Sequence, residues 1–194
     1  FWVDWNDLYQ AFEICHQWEG VGGPGHWPDA DMLPFGHLAL RSTERGWGDR
    51  WTHFTQDEQI ALMTLWCLFR SPLMVGAELN DNDEFTLNLL TNDEVLALLS
   101  ESRNARQVYR EERYNYAGEV IVWQAENEQG ETYCAVFNCG PKARKLAVQL
   151  SSALGLEGAY TGRDLWAHEE IPVGRALEVE VPSHGARLVK LTKK

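Results

Sequence analysis

The chain has 194 residues, of which 44% are hydrophobic and 24% charged, and its formal net charge is −12. This composition is typical of a folded globular protein, and the acidic balance argues against nucleic acid or an anionic membrane as a partner. No apolar run approaches the ~20 residues that span a membrane. Because the chain starts at Phe1 and no signal-peptide pattern follows, we expect part of a longer protein or a processed product.

Charge and tryptophan are unevenly distributed along the chain. Residues 1–104 hold 17 acidic and 5 basic residues, whereas residues 105–194 hold 12 of each. Seven of the nine Trp residues lie before residue 70. This change in composition predicts two domains, residues 1–104 and residues 105–194.

The first segment predicts a helix followed by a bend. Residues 4–19 have apolar side chains at three- and four-residue spacing, with Asp4 as N-cap and Gly20 as the stop. The Gly-rich sequence 20–25 cannot continue a helix, and it leads into a predicted strand that starts at residue 27. The cysteines do not predict a disulfide framework, and we interpret them mainly as small buried hydrophobic residues.

A capping box predicts the next helix. In "TQDE", the Thr55 hydroxyl can accept from the Glu58 amide while the Glu58 side chain reaches back. The apolar run 60–69 indicates a helix buried on most sides, and residues 72–77 predict a parallel strand covered on both faces. Two more helices are predicted, near 82–90 and after a second capping-box sequence at 91–94. This alternation is typical of an α/β parallel arrangement.

After residue 105 the apolar residues alternate with a period of two, which predicts strands. The predicted strands are residues 119–125, 132–138, 145–150, 176–181 and 186–191. Turn sequences such as "ENEQG", "CGPK", "YTG" and "PSHG" separate them. The second half therefore predicts an all-β antiparallel domain, a β-sandwich, and the predicted fold class of the whole chain is α/β plus all-β.

The sequence "PGHWPDADML", residues 24–33, places two carboxylates close together. If residues 27–31 are extended, Trp27, Asp29 and Asp31 point to the same side. The carboxyl end of a parallel strand is where α/β folds bind ligands. An indole beside polar acceptors suits a sugar, because its C–H face stacks on the ring while its hydroxyls donate to the carboxylates.

Two other interpretations of this stretch stay open. Asp29 and Asp31 can be turn-forming and helix-capping acids near Pro28. Alternatively, His26 with the two carboxylates supplies one nitrogen and two oxygen donors to a metal ion, although no other ligand cluster supports such a site.

The remaining conspicuous side chains predict packing or surface positions. His53 precedes a helix cap, and His168 and His184 fall in polar turns, so we interpret all three as structural. Trp47 and Trp51, in the Gly-rich sequence "GWGDRW", are candidates for lining a cleft.

The motif "GPGHWPDADML" closely resembles the signature of glycoside hydrolase family 27, the melibiase-type retaining α-galactosidases and α-N-acetylgalactosaminidases. The usual form there is Pro-Gly-Gly-Trp-Asn-Asp-Pro-Asp-Met-Leu. The resemblance continues through "FTQDEQIALMTLWCLFRSPLMVGAEL" and "TNDEVLAL" to "RDLWAHEE" and "VPSHGARLVKL", and it covers essentially the whole chain. The first motif is specific, and the later patterns are weaker.

The family fold is a (β/α)₈ TIM barrel followed by an antiparallel β-sandwich. The resemblance implies that residues 1–104 are the C-terminal part of the barrel and that residues 105–194 are the β-sandwich. Retaining glycosidases need two carboxyl groups about 5 Å apart, and the resemblance places both nucleophile and acid/base upstream of Phe1. Asp4 matches a helix start, so we expect no catalytic residue in this chain.

Asp31 and Met32 match the family's active-site Asp and Met. The resemblance implies that Asp31 bonds the sugar or the acid/base and that Met32 packs against the site. Trp27 and Asp29 match signature positions that shape the loop, and all four are candidate substrate-binding residues. Two departures, His26 in place of Gly and "PDAD" in place of "NDPD", leave the loop conformation and the exact sugar open.

The implied function is that of the C-terminal portion of a retaining glycosidase that cleaves terminal α-linked galactosyl or N-acetylgalactosaminyl residues. No metal or organic cofactor is implied, and we expect the isolated chain to be inactive. The expected partners are an α-galactoside substrate and either the rest of a barrel or a second copy, which would cover the edge of 72–77 and the helix 60–69. Family members are often secreted, periplasmic or lysosomal. The alternative is a non-catalytic carbohydrate-binding or interaction module.

Overall fold

The computed structural model describes residues 4–42, 48–111 and 119–194. Trp47, one of the predicted cleft residues, therefore lies outside the described residues. In the first half, the described elements are five helices and one antiparallel pair of short strands: α1 (Trp5–Gln17), β1 (His37–Leu38), β2 (Arg50–Trp51), α2 (Gln56–Phe69), α3 (Glu84–Thr91), α4 (Asp93–Leu96) and α5 (Leu98–Glu101). Among them, none is long and apolar enough to cross a membrane.

Helices α1 and α2 begin where their capping residues predict. The Asp4 carboxylate accepts from the first-turn backbone of α1, and both hydrogen bonds of the Thr55–Glu58 capping box are present at the start of α2. Helix α2 is buried along almost its whole length. It ends at Arg70, a non-glycine residue with φ of 62° in the left-handed region.

The structure corrects the prediction of two parallel strands. Residues 27–32 are described throughout and form no strand, and Leu33 pairs with Val75 through a single parallel bridge. The direction of pairing is as predicted, but segment 72–77 is not covered on both faces, since Met74 is 58% exposed. Among the described residues, its strand pairing is confined to single bridges with Leu33 and Leu38.

The structure also corrects the second predicted capping box, at residues 91–94, because Thr91 is not the N-cap. Thr91 is the last residue of α3, and its hydroxyl donates to the Leu87 carbonyl of the preceding turn. It is therefore not available as a cap. Asn92 caps α4 instead, and its side-chain oxygen accepts from the Val95 amide at 3.0 Å.

The second half forms an antiparallel sandwich. Its elements are β3 (Arg103–Arg110), β4 (Val120–Glu126), β5 (Thr132–Asn138), β6 (Arg144–Gln149), α6 (Leu150–Leu154), β7 (Tyr160–Asp164), β8 (Glu169–Ile171), β9 (Ala176–Val181) and β10 (Ala186–Lys193). The larger described sheet has the order β3-β4-β5-β10-β7-β8, and β6 pairs with β9 in a separate two-stranded sheet. All five predicted strands are present within a residue or two.

Strand β7 was predicted as a turn because of the sequence "YTG". A Cβ at Gly162 would lie 2.6 Å from Val173 Cγ2, so glycine here permits close packing within a strand and does not mark a turn. The strand pairs with β10 along its full length.

Two apolar cores lie on the two faces of the larger sheet. One contains side chains of α1 and α2 packed on strands β4, β5 and β10, including Phe12, Trp66, Trp123 and Phe137. The other fills the space between the larger sheet and the β6–β9 pair. Helix α2 therefore packs directly on the sheet, and the expectation that it lies uncovered is wrong. All four cysteines are among the described residues, and each is buried and free.

Candidate functional site

The two neighbouring carboxylates stabilise a tight loop through local hydrogen bonds. Asp29 Oδ1 accepts from the Asp31 amide at 2.9 Å, and Asp31 Oδ1 accepts from the Met32 amide at 2.6 Å. Asp31 itself has φ of 85°, a conformation that Asn and Asp adopt more readily than other side chains. The turn-forming interpretation therefore describes Asp29 well, and the segment is not the regular strand that would place both carboxylates on one face.

The backbone of this loop is fixed from the buried side. Trp66 Nε1, on α2, donates to the Asp31 carbonyl at 2.9 Å, and the Ala30 amide donates to Ser71 Oγ at 2.9 Å. Trp66 and Ser71 are fully buried, so the core determines where Asp31 lies. The Asp31 side chain is exposed, and the loop therefore presents an accessible carboxylate from a rigid backbone.

Met32 lies against the adjacent extended segment. A Cβ at Gly76 would be 3.0 Å from Met32 Sδ and 3.2 Å from its Cγ, so the absence of a side chain at Gly76 makes room for the thioether. Gly76 also lines a cavity of about 330 Å³ together with residues 39–42 and Ala77 and Glu78. Together, the two side chains can bind one sugar ring: the thioether contacts its apolar C–H face, and the carboxylate accepts a hydrogen bond from one of its hydroxyls.

Trp27 lies elsewhere. Its ring is covered by the Arg70 guanidinium, whose Cζ is 3.9 Å from the ring centroid, and it lines a cavity of about 790 Å³. Of the described residues that line this cavity, none is Asp29, Asp31 or Met32. The structure thus brings three of the four candidate substrate-binding residues together and places Trp27 in a different environment.

The metal-site interpretation has no geometric support. His26 Nε2 is 3.0 Å from the Val21 carbonyl oxygen, an interaction that closes the Gly-rich bend. Within the described part of the chain, no group of three His, Cys, Asp or Glu side chains is arranged to hold a metal ion.

A cluster around His37 was not predicted from the sequence. His37 Nδ1 is 2.5 Å from Asp81 Oδ2, and its Nε2 is 2.5 Å from Asp49 Oδ1. The hydrogen bonds to Asp49 and then to Asp81 raise the pKa of His37 above its ordinary value. Trp51 stacks on the imidazole, with ring centroids 5.1 Å apart. These partners are 12 to 44 residues away in sequence, and no local sequence pattern predicts that they contact His37.

His168 and Arg163 form an ion-pair cluster with Glu94, at the start of α4. Arg163 donates from Nε and Nη2 to the Glu94 carboxylate at 2.6 Å each, and His168 Nδ1 lies 2.7 Å from Oε1. The Arg163 hydrogen bonds, assisted by His168, lower the pKa of Glu94 to about 2. The cluster ties α4 to β7, which is a structural role.

Comparisons with known proteins agree on one group of enzymes. Residues 117–191 match the family described as the alpha galactosidase C-terminal beta sandwich domain. The chain is 28% identical to alpha-galactosidase D of Emericella nidulans, over an alignment that covers 97% of this chain and 26% of that protein. It is 26% identical to an alpha-galactosidase of Oryza sativa subsp. japonica, over 97% of this chain and 41% of that one.

A solved structure is closer in sequence. The β-L-arabinopyranosidase of glycoside hydrolase family 27 from Geobacillus stearothermophilus is 47% identical, with a TM-score of 0.90, over 99% of this chain and 43% of that one. A variant of that enzyme has been solved in complex with arabinose. The chain therefore spans less than half the length of each of these proteins and corresponds to their C-terminal part.

Proposed function

The chain belongs to glycoside hydrolase family 27, corresponding to the C-terminal portion of its members, and from this we propose that it supplies part of the sugar-binding site of a retaining glycosidase. The enzyme would release terminal α-linked galactosyl or N-acetylgalactosaminyl residues. In this proposal residues 1–104 are the C-terminal part of a (β/α)₈ barrel, and residues 105–194 form the β-sandwich that follows it.

The observation that carries the proposal is the conformation of Asp31. Its positive φ costs of order 1–3 kcal/mol for a non-glycine residue, and buried groups on α2 and at Ser71 hold the loop in place. Backbone strain of this kind is found at ligand-binding sites, where the fold holds a side chain in a fixed orientation.

Each residue of the loop has a proposed role in sugar binding. The exposed carboxylate of Asp31 accepts a hydrogen bond from a sugar hydroxyl or orients the acid/base. Met32, seated against Gly76, gives the ring an apolar contact, and Asp29 holds the Asp31 amide in place. Trp27 shapes the start of the loop from the other side. The parallel bridge between Leu33 and Val75 comes directly after the loop and supports the view that these two segments belong to neighbouring barrel strands.

In this proposal, the residues that carry out hydrolysis lie outside the 194 residues of this chain. A retaining mechanism uses one carboxylate as nucleophile and a second as acid/base, about 5 Å apart. The Asp29 and Asp31 carboxylates each use an oxygen to accept from the backbone of their own loop, which suits positioning roles. We therefore expect the 194-residue chain alone to be inactive, with no metal ion or organic cofactor involved.

A second candidate substrate comes from the 47% identical relative, which is a β-L-arabinopyranosidase. β-L-Arabinopyranose has the ring configuration of α-D-galactopyranose without the hydroxymethyl group at C5. A site that accepts one sugar can therefore present the same hydroxyl partners to the other, and the choice depends on the space around that carbon.

The test compares p-nitrophenyl α-galactopyranoside, its N-acetylgalactosaminide and p-nitrophenyl β-L-arabinopyranoside. We expect the longer natural enzyme that contains these residues to hydrolyse at least one of them, with the highest kcat/KM on its preferred sugar. The 194-residue chain should release no nitrophenol above the blank. Robust turnover by the 194-residue chain would overturn the proposal that the hydrolytic residues lie outside it. Glycan-array binding by residues 105–194 without hydrolysis by the longer enzyme would favour the carbohydrate-binding module.

A further inference from the structure

Gly76 is a glycine whose own backbone does not require one. Its φ is not positive, so it lies outside the left-handed region in which glycine is favoured, and it belongs to the extended segment 72–77 that pairs with Leu33. A glycine inside an extended segment weakens it and often marks the close approach of another group. The reason for a glycine at this position therefore lies in what a side chain would meet there.

A side chain at position 76 would meet the thioether of Met32. A Cβ there would lie 3.0 Å from Met32 Sδ and 3.2 Å from its Cγ, whereas the Leu33 carbonyl oxygen would be 3.5 Å away, at an ordinary contact distance. Non-bonded heavy atoms attract each other best at about 3.5–4.0 Å. The methyl group of an alanine would therefore displace the thioether by a few tenths of an ångström.

Hydrogen bonds hold the two backbones on either side of this contact. The Gly76 amide donates to the Leu33 carbonyl at 2.9 Å, and the Leu33 amide donates to the Met74 carbonyl at 2.8 Å. The Met32 amide donates to the Asp31 carboxylate at 2.6 Å. Because both backbones are fixed and a methionine side chain is flexible, the Met32 side chain takes up the displacement.

The displaced thioether would narrow the proposed sugar site. Met32 is partly exposed beside the accessible Asp31 carboxylate, and in the proposed function it lies between Gly76 and the sugar. The carboxylate suits a ring carbon that carries a hydroxyl, and the apolar thioether suits C5, the ring carbon that carries none. Galactose and arabinopyranose differ at C5, where only galactose has a hydroxymethyl group. Movement of the thioether away from Gly76 therefore takes space from that group.

We propose that Gly76 is a positioning residue that acts through Met32 and selects the sugar by size. The space left by its missing side chain lets the thioether lie back far enough to admit the hydroxymethyl group of a galactoside. Filling that space makes the enzyme prefer a β-L-arabinopyranoside, which lacks the group. This inference rests on the proposed function and assigns to one position the choice between its two candidate substrates.

The experiment measures KM and kcat of the longer enzyme on p-nitrophenyl α-galactopyranoside and p-nitrophenyl β-L-arabinopyranoside. Gly76→Ala should raise KM for the galactoside roughly tenfold, the effect of about one methylene group in an apolar pocket, and KM for the arabinopyranoside less than about twofold. A merely structural role would lower the fraction of folded enzyme, and with it kcat on both substrates equally, but would leave both KM values unchanged. Gly174→Ala is the matched control, because its φ is not positive and its Cβ would meet nothing closer than 3.9 Å; it should change neither KM.

Met32→Ala tests whether the effect of Gly76→Ala passes through the thioether. Once the thioether is gone, adding Gly76→Ala should change neither KM by more than about twofold, so the two substitutions are strongly non-additive. This comparison also decides the question if Gly76→Ala alone does not fold. An unchanged substrate preference in folded Gly76→Ala would overturn the proposal, and so would a rise in the galactoside KM as large in the Met32→Ala background as in the wild type.

Failure of the proposed function is visible separately. If the wild-type enzyme hydrolyses neither glycoside, the proposed function fails, and the selection of the sugar fails with it. The positioning of Met32 is then decided by NMR of the enzyme labelled at its methionine methyl groups, with the Met32 signal assigned from its loss in Met32→Leu. A shifted Met32 signal in Gly76→Ala supports positioning by Gly76, and an unchanged signal refutes it.

Discussion

The imidazole of His184 lies flat on the indole of Trp5, with ring centroids 4.2 Å apart and planes 1° apart. His184 Nδ1 is also 2.9 Å from Glu58 Oε1. Since Glu58 is in the first turn of α2, this one side chain of the β9–β10 turn reaches the N-terminal ends of both long helices. The helices and the sandwich are therefore joined by specific polar contacts as well as by their shared core.

Removing this contact should destabilise the whole chain. In His184→Ala, the buried Glu58 carboxylate loses a partner and Trp5 loses its stacked ring, so the free energy of unfolding should fall by about 1–3 kcal/mol. Urea unfolding followed by far-UV circular dichroism measures it. His53→Ala is the matched control, because His53 is exposed, and it should change stability by no more than about 0.5 kcal/mol.

The Glu94 cluster should make the free energy of unfolding depend on pH in the acidic range. The folded-state pKa of Glu94 is about 2 because of Arg163, below its ordinary value of 4.5. Its contribution is therefore complete above about pH 4.5 and is lost as the pH falls through about 2. Arg163→Gln should raise the pKa of Glu94 and lower the free energy of unfolding at pH 7, with the difference from wild type shrinking toward pH 2. Carboxyl NMR titration measures the pKa, and a wild-type Glu94 that titrates near pH 4.5 would contradict the assignment.

The His37 cluster should show the opposite dependence. Asp49, with Asp81, raises the pKa of His37 above 6.5, so its contribution is complete below that pH and is lost as the pH rises through the folded-state pKa. Asp49→Asn should lower the pKa of His37. Two-dimensional NMR of the imidazole nitrogens as a function of pH measures this pKa. A His37 pKa at or below its ordinary value of 6.5 would show that the hydrogen bonds to Asp49 and Asp81 do not form in solution.

Local sequence chemistry predicted the parts of the fold that depend on near neighbours. The Thr55–Glu58 capping box and the Asp4 cap each need residues within one helical turn. The predicted strands of the sandwich follow from alternation alone. Segment 72–77 was predicted wrongly because its apolar composition does not say what packs over it, and "YTG" was predicted as a turn because the role of Gly162 depends on Val173, brought close only by the fold.

In the candidate site, too, local sequence predicted some features and long-range contacts determine the others. Asp29, Asp31 and Met32 come together because they are adjacent in one motif, and spacing alone could place them. The positive φ of Asp31 could not be predicted, since it depends on Trp66, which is 35 residues away. The His37 cluster joins β1, the start of β2 and Asp81. The local sequence indicated Trp51 as a cleft residue but did not indicate that His37 and the two carboxylates meet.

The most direct test of the central claim is the activity of Asp31→Asn in the longer enzyme. Asparagine tolerates positive φ and keeps an acceptor for the Met32 amide, so the fold should be retained while the charged acceptor is lost. The account predicts that kcat/KM on p-nitrophenyl glycoside falls roughly 100-fold or more, with an unchanged unfolding midpoint. The control Asp57→Asn, at a partly exposed residue of the first turn of α2, should keep wild-type activity. A folded Asp31→Asn enzyme with kcat/KM within about twofold of wild type, a difference of about 0.4 kcal/mol, would contradict it.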